Sequence, residues 1–374
     1  MKKKIITFLV ALPIIACHHK TQEVKTIVVD YSGKTSVFQY NRIQSISLIP
    51  LQTDDNCLIG EDPIPRIMGN NLFIRHGPAN GPVTTMRIDR FTMQGVYLNQ
   101  IARSGRGPGE FSGLMSDWFF YGEDMIGIHT YGRNFVLLYD FIGNFVHKVD
   151  YNLNAFNIHA QGTNFWALMP PQTDSARLIY LSENGSIIKT MMKSEKTYPA
   201  SSDLWWTFHQ TNDHLYIGMP YDNTIYTFEK DTVRATFTID AGQYTIPLDF
   251  YDNPFEAFGP LMKKGIATVY NFKESKNYYV LQIVIVYEDF EDMIWGIKYK
   301  EEKEWFWSKI ERWPFMESPE YPKAELTEDN KLFILIDPYA LKEQLLLMNN
   351  ILNPQITDTL NENDNPVLVE IRLK

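Results

Sequence analysis

A unit of an apolar strand, an acidic or Asn-Gly turn and a second strand recurs along the chain. It reads MRIDRFTMQGVYLNQI at 86–101, VLLYDFIGNFVHKV at 136–149, LIYLSENGSIIKTM at 178–191 and IYTFEKDTVRATFT at 225–238. A second set of similar strands begins near Asn71 (NLFIR), Asp124 (DMIGI), Asn164 (NFWAL), His214 (HLYIG), Tyr278 (YYVLQ) and Lys331 (KLFIL), at spacings of 53, 40, 50, 64 and 53 residues. Repetition on a scale of about fifty residues is the mark of a propeller or solenoid. Six units of four antiparallel strands predict an all-β, six-bladed β-propeller, which leaves only short protected strand edges.

Two strand words, ISLIPLQ (46–52) and PVLVEIRLK (366–374), fit inside no repeat and are expected to complete the last blade together. The longest interruption, 241–264, predicts a short helix with Asn253 as N-cap, Pro254 at its first position, Glu256 in the first turn and Gly265 at its end. Gly259-Pro260 in its middle predicts a kink or break, and the length of the loop suggests a lid across one face.

The N-terminus has a different character. Lys2, Lys3 and Lys4 precede an uncharged, mostly apolar run over 5–16 that is too short to span a bilayer as a helix but suits a signal peptide. It ends Ile14-Ile15-Ala16-Cys17, which resembles a bacterial lipobox; the resemblance implies cleavage before Cys17 and diacylglycerol on its sulfur. The expected organisation is a lipoprotein signal peptide over 1–16, a tether and first strand (Thr26–Tyr31) within 17–42, and the propeller over 43–374. Processing leaves Cys57 as the remaining cysteine, expected to be a small buried hydrophobe, and no internal disulfide.

Composition supports the β reading and removes one class of partner. Aromatic residues are 14% of the 374, a bias that favours strands. The formal charge is -10; without residues 1–16 there are 32 basic against 45 acidic residues, and no basic stripe offsets the excess. Nucleic acid is therefore not an expected partner.

Ile101–Phe111 reads IARSGRGPGEF, with Gly105, Gly107 and Gly109 alternating around Arg106 and Pro108. Together with LIPLQTDDNCLIGEDPIPRIMGNNLFI before it and NDNPVLVEIRLK at the C-terminus, it closely resembles the six-bladed, NHL-like β-propeller lipoproteins common in Bacteroidota. The members of that family are mostly uncharacterised. Its G-x-G-P-G-E-[FY] signature joins the first blade to the second, and the resemblance covers essentially the whole mature chain. RHGPANGPVT, after the first NLFI strand, is a longer excursion than the family's pattern has. The loop lacks the Gly-Lys-Ser/Thr of a P-loop, and Pro108 removes a backbone donor that an anion nest would use. It reads as an elbow between blades in which Glu110 pairs with Arg103 or Arg106 and Phe111 re-enters the core.

No catalytic constellation stands out. The histidines are scattered, the pair His209 and His214 lacks a ligand spacing, and no G-x-S-x-G elbow or EF-hand loop occurs. Asp54-Asp55, Glu288-Asp289 and Glu291-Asp292 read as solvated turns. Trp205-Trp206, Trp305–Trp307 and Trp313 could form a sugar-stacking platform, although core packing is the favoured reading. No catalytic residue, metal ligand or cofactor is assigned. The expected function is a non-enzymatic, lipid-anchored envelope scaffold for a protein, peptide or glycan. The alternatives are a glycan-binding protein, or a metal-dependent hydrolase or lactonase with its site at the central channel. The HHKTQ tether lacks an acidic run resembling a surface-export signal, which leans toward a periplasm-facing position.

Overall fold

The computed structural model describes residues 24–31, 42–77, 86–113, 115–170, 176–193, 208–211, 214–219, 221–229, 232–309, 324–347 and 360–374. Six sheets, each built on four antiparallel blade strands, form a six-bladed β-propeller. Blade 1 runs from Ile64 to Arg103, blade 2 from Met115 to Asp150, blade 3 from Asn157 to Lys193, blade 4 from Phe208 to Asp240 and blade 5 from Ile266 to Lys309. Blade 6 takes three strands from the C-terminal end (Glu325–Leu326, Lys331–Ile336, Val367–Leu373) and its outermost strand, Ile43–Pro50, from near the N-terminus. The two unmatched strand words thus close the ring side by side, from Ile43 opposite Leu373 to Pro50 opposite Val367, with one bulge between Ile43 and Ser45.

The repeated words acquire a physical reason from this arrangement. The second strand of each blade starts within a residue of its expected position, and the hairpin words are the third and fourth strands. Both faces of a blade are covered by neighbours, so middle strands read as unbroken apolar runs instead of alternating ones. Among the described residues the buried apolar side chains fall into six clusters, one per junction between blades. Phe73 of blade 1 packs with Trp118 and Phe120 of blade 2, for example, whereas Leu72 and Ile74 on its other face pack with Phe333 and Leu335 of blade 6.

The turn glycine has its own cause. Gly95, Gly143 and Gly185 occupy the same place in the outer hairpins of blades 1, 2 and 3, with φ of +83°, +91° and +81°. A Cβ there would lie 2.3 Å from the Pro50 carbonyl oxygen, 2.4 Å from that of Gln100 and 2.0 Å from that of Asp150. Each of those oxygens belongs to the outermost strand of the preceding blade. The outer strands therefore follow one another around the rim, and glycine lets each turn touch the strand before it.

The N-terminal strand Lys25–Val28 adds in parallel to the outer edge of blade 4, a fifth strand placed away from the closure at blade 6. Ile27 and Val29 are buried there among the blade 4 and 5 side chains. Helix α1 (Pro254–Lys264) runs through Pro260 without a break. Pro254 at one end and Leu261 and Met262 at the other are buried, while Gly259 and Pro260 face solvent. Anchorage on both sides outweighs the hydrogen bond that Pro260 cannot donate. Asn253 makes no side-chain capping bond; its carbonyl accepts from the Ala257 amide.

Candidate functional site at the channel

The innermost strands line the central channel, and each contributes one polar side chain. Arg66 of blade 1 donates to Asp117 of blade 2 at 2.9 Å. Asp117 lies 3.0 Å from His159 Nδ1 of blade 3, and His159 Nε2 lies 3.2 Å from the Gln210 amide of blade 4. Lys273 of blade 5 reaches the Gln210 backbone carbonyl at 3.3 Å and binds both Glu325 oxygens of blade 6 at 2.8 and 2.9 Å. One chain of contacts thus visits every blade.

Its charges are arranged as neutral pairs. Burial pushes the Asp117 carboxyl up, but the Arg66 guanidinium and the His159 hydrogen bond overcome this and hold it below the usual carboxylate range. Burial lowers the His159 imidazole despite the pull of Asp117, so the ring is neutral and donates from Nδ1. Gln210 Oε1 is the atom that lies toward Nε2, so this tautomer is satisfied there when the Gln210 amide is turned to present its nitrogen. Arg66 also lies over the Trp118 ring, 4.6 Å from its centroid, which fixes the guanidinium plane.

Beyond this ring the channel opens into a cavity of about 1180 Å³ at the end that carries the turns between first and second strands. Met68–Asn70, Thr211, Lys276 and Thr327–Asp329 form the rim, with Arg66, Lys273 and Glu325 below. Arg66 Nη1 is buried and has no hydrogen-bond partner there. Among the described residues no three His, Cys, Asp or Glu side chains come together in a metal-holding group.

Behind the ring, His129 stands directly across from Asp117 in blade 2 and bonds the Ser116 hydroxyl through Nδ1. Burial lowers its pKa from 6.5 to about 4. In the unfolded chain it takes up a proton near 6.5, whereas in the folded chain it does so only near 4. The unfolded state therefore binds more protons in that window, and stability falls as pH drops through it. About 3 kcal/mol is the expected loss over the whole window and about 2 kcal/mol of it by pH 5, at roughly 1.36 kcal/mol per unit. Urea unfolding at neutral pH and near pH 5 checks this; His129→Gln should flatten that part of the profile, and equal slopes for both proteins would refute the assignment.

The other sequence candidates lie elsewhere. Cys17, Trp205, Trp206 and Trp313 are outside the described residues. Cys57 is buried and donates weakly to the Gln52 carbonyl, and Asn365 clips its loop by accepting from Ile59 N and donating to the Gln52 and Cys57 carbonyls. In the IARSGRGPGEF elbow, Glu110 accepts from Arg103 Nε and from the Gly107 amide, both at 2.7 Å, and Phe111 is buried between blades 1 and 2. Gly105 sits against the Glu110 carboxylate, Gly109 takes φ +74°, and Arg106 and Pro108 are exposed. His209 is buried while His214 bonds Glu274 on the surface, so the two do not form a site. Trp307 is buried between blades 4 and 5, with the half-buried Trp305 stacked on it.

Sequence reasoning missed the ring itself. A faint signal existed: Arg66, His159, Gln210 and Lys273 each stand five residues before the first residue of the following strand, as polar intrusions in strand words.

Residues 26–372 match a family described only as a domain of unknown function, DUF4934. The chain belongs to this family. Among solved structures, an exported protein of Bacteroides fragilis, so described provisionally, is similar at 18% identity with a TM-score of 0.72, covering 94% of this chain and 100% of that one. A member of the DUF4221 family from Bacteroides vulgatus is similar at 9% identity and a TM-score of 0.54, covering 89% and 97%. At these identities the likeness is one of fold. No curated protein matches.

Proposed function

We propose that this DUF4934 protein is an exported, lipid-anchored propeller of the cell envelope. In this reading it holds a protein, peptide or glycan ligand at the channel mouth without transforming it. The description of the Bacteroides fragilis neighbour as exported supports the envelope part, beside the signal sequence and Cys17.

The observation that carries the binding part is the contrast between channel groups that mostly engage one another and an open mouth. Asp117 orients His159 as the outer half of an acid–base relay would, but the next group is Gln210, which is neither a nucleophile nor an acid. Glu325 is engaged through both oxygens by Lys273. Arg66 is among the residues that line the cavity, and its buried Nη1 keeps an unused donor for an acceptor oxygen that reaches the channel.

Photocross-linking in intact cells tests this. A benzophenone side chain at Asn70 or Lys276 is expected to give one discrete adduct that is lost on Arg66→Ala; the same group at Leu248, on the opposite face, should not give it. No adduct at the mouth, or stoichiometric zinc or calcium together with ester or lactone hydrolysis by the purified protein, would replace binding with catalysis.

A further inference from the structure

The face opposite the channel mouth carries exposed apolar side chains near the N-terminal strand. Val28 is 63% exposed on that strand, Leu248 87% in the loop after blade 4, Phe255 62% at the start of α1, and Phe290 60% in the turn between the second and third strands of blade 5. Aromatic contacts tie these segments together. Tyr31 packs on Tyr244 (ring centroids 5.0 Å apart), Tyr244 on Tyr287 (6.1 Å), and Tyr287 stacks on Phe290 (4.2 Å). Isolated exposed apolar residues need no explanation, but a group on connected segments marks a surface that something covers.

Chain geometry points to the occupant. Lys25 is held on blade 4 opposite Phe237, at the end of its strand away from the apolar face, and Cys17 lies eight residues before it, so the tether runs back past about 10 Å of strand to reach that face. Eight residues span at most about 29 Å even when fully extended. If Cys17 carries lipid, the rim of blade 4 stays within that reach of the bilayer. We propose that Val28, Leu248, Phe255 and Phe290 dock on the bilayer that holds the anchor, with the aromatic rings at headgroup level. This inference rests on the lipid-anchored reading above.

Charge selects the lipid. Asp249, Glu288 and Asp289 are exposed beside these residues, and the chain is acidic overall. The contact is apolar insertion into a zwitterionic surface, because an anionic one repels these carboxylates. Docking in this way turns the channel mouth away from the membrane and leaves it open to ligand.

The test uses the full acylated protein in phosphatidylcholine vesicles, labelled with an environment-sensitive dye at Leu248→Cys, at Phe290→Cys or, as the control on the mouth face, at Glu123→Cys. The dyes at 248 and 290 should brighten several-fold and be quenched by brominated lipid, whereas the dye at 123 stays as in water. Replacing part of the lipid with phosphatidylglycerol should weaken both signals. Intact mass separates the two ways to fail. An acylated Cys17 with dyes at 248 and 290 behaving like the one at 123 overturns the docking alone; a mature chain with no acyl group overturns the anchor, and the docking with it.

Discussion

A chain ending at Asn365 is expected not to reach the native state. The missing strand, Val367–Leu373, pairs with Lys331–Ile336 on one side and with Ile43–Pro50 on the other, and so carries the strand pairing that joins the two ends of the chain in blade 6. Val367, Leu368, Val369, Ile371 and Leu373 are all buried. Five such side chains at about 1.5–3 kcal/mol each amount to the whole marginal stability of an ordinary domain, about 5–15 kcal/mol. The deletion also exposes two strand edges that would seek other chains. Circular dichroism and size-exclusion chromatography check it: loss of a cooperative thermal transition and appearance of aggregate are expected. A monomer that still melts cooperatively would show that the ring does not depend on this closure. Starting the chain after Tyr31 removes only the parallel fifth strand of blade 4, with Ile27 and Val29 as its buried residues, and should leave a folded, less stable protein.

The second large effect is expected from Arg66→Met. The substitution keeps much of the aliphatic volume over Trp118 but removes the guanidinium from Asp117. The Asp117 side chain is only 4% exposed and would keep just the His159 bond and its contact with the Trp118 amide. Breaking a buried ion pair from one side costs about 3–5 kcal/mol, because the remaining charge is uncompensated. The urea midpoint should fall accordingly, and Asp117→Asn in the same background should recover part of the loss. Linkage gives the sign with pH. A carboxyl held below its unfolded value near 3.9 adds stability above that pH and loses it as pH falls through the folded value. Wild type and Arg66→Met should therefore differ most at neutral pH and converge in acid. A difference under about 1 kcal/mol at neutral pH would mean that the ring does not lock the channel.

The scaffold was readable because each blade reuses one set of local rules. Apolar runs such as NLFIR and YYVLQ mark strands covered on both faces, and turn words such as TMQG and DFIG mark hairpins whose glycine meets the preceding blade. The closing strands were identifiable because they fitted no repeat. Two local features were not readable. The continuity of α1 through Pro260 depends on tertiary anchors at Pro254, Leu261 and Met262, which outweigh local propensity. The position of Lys25–Val28 beside blade 4 depends on a partner strand far along the chain. The channel ring was illegible for a deeper reason. Arg66, Asp117, His159, Gln210, Lys273 and Glu325 are isolated polar residues on six strands, and only the circular arrangement turns them into neighbours.

Order of synthesis follows from where the two N-terminal strands pair. Lys25 waits for Phe237, 212 positions later, and Ile43 waits for Leu373, 330 positions later. Blades 1, 2 and 3 can each assemble from contiguous chain as it emerges, but Lys25–Val28 remains unpaired until blade 4 is made, and Ile43–Pro50 until the last strand is made. Contacts this distant in sequence are slow to form, and the waiting segments carry Ile27, Val29, Leu48 and Leu51, all destined for burial. A nascent chain of this kind needs its leading end shielded from other chains until the last strand arrives.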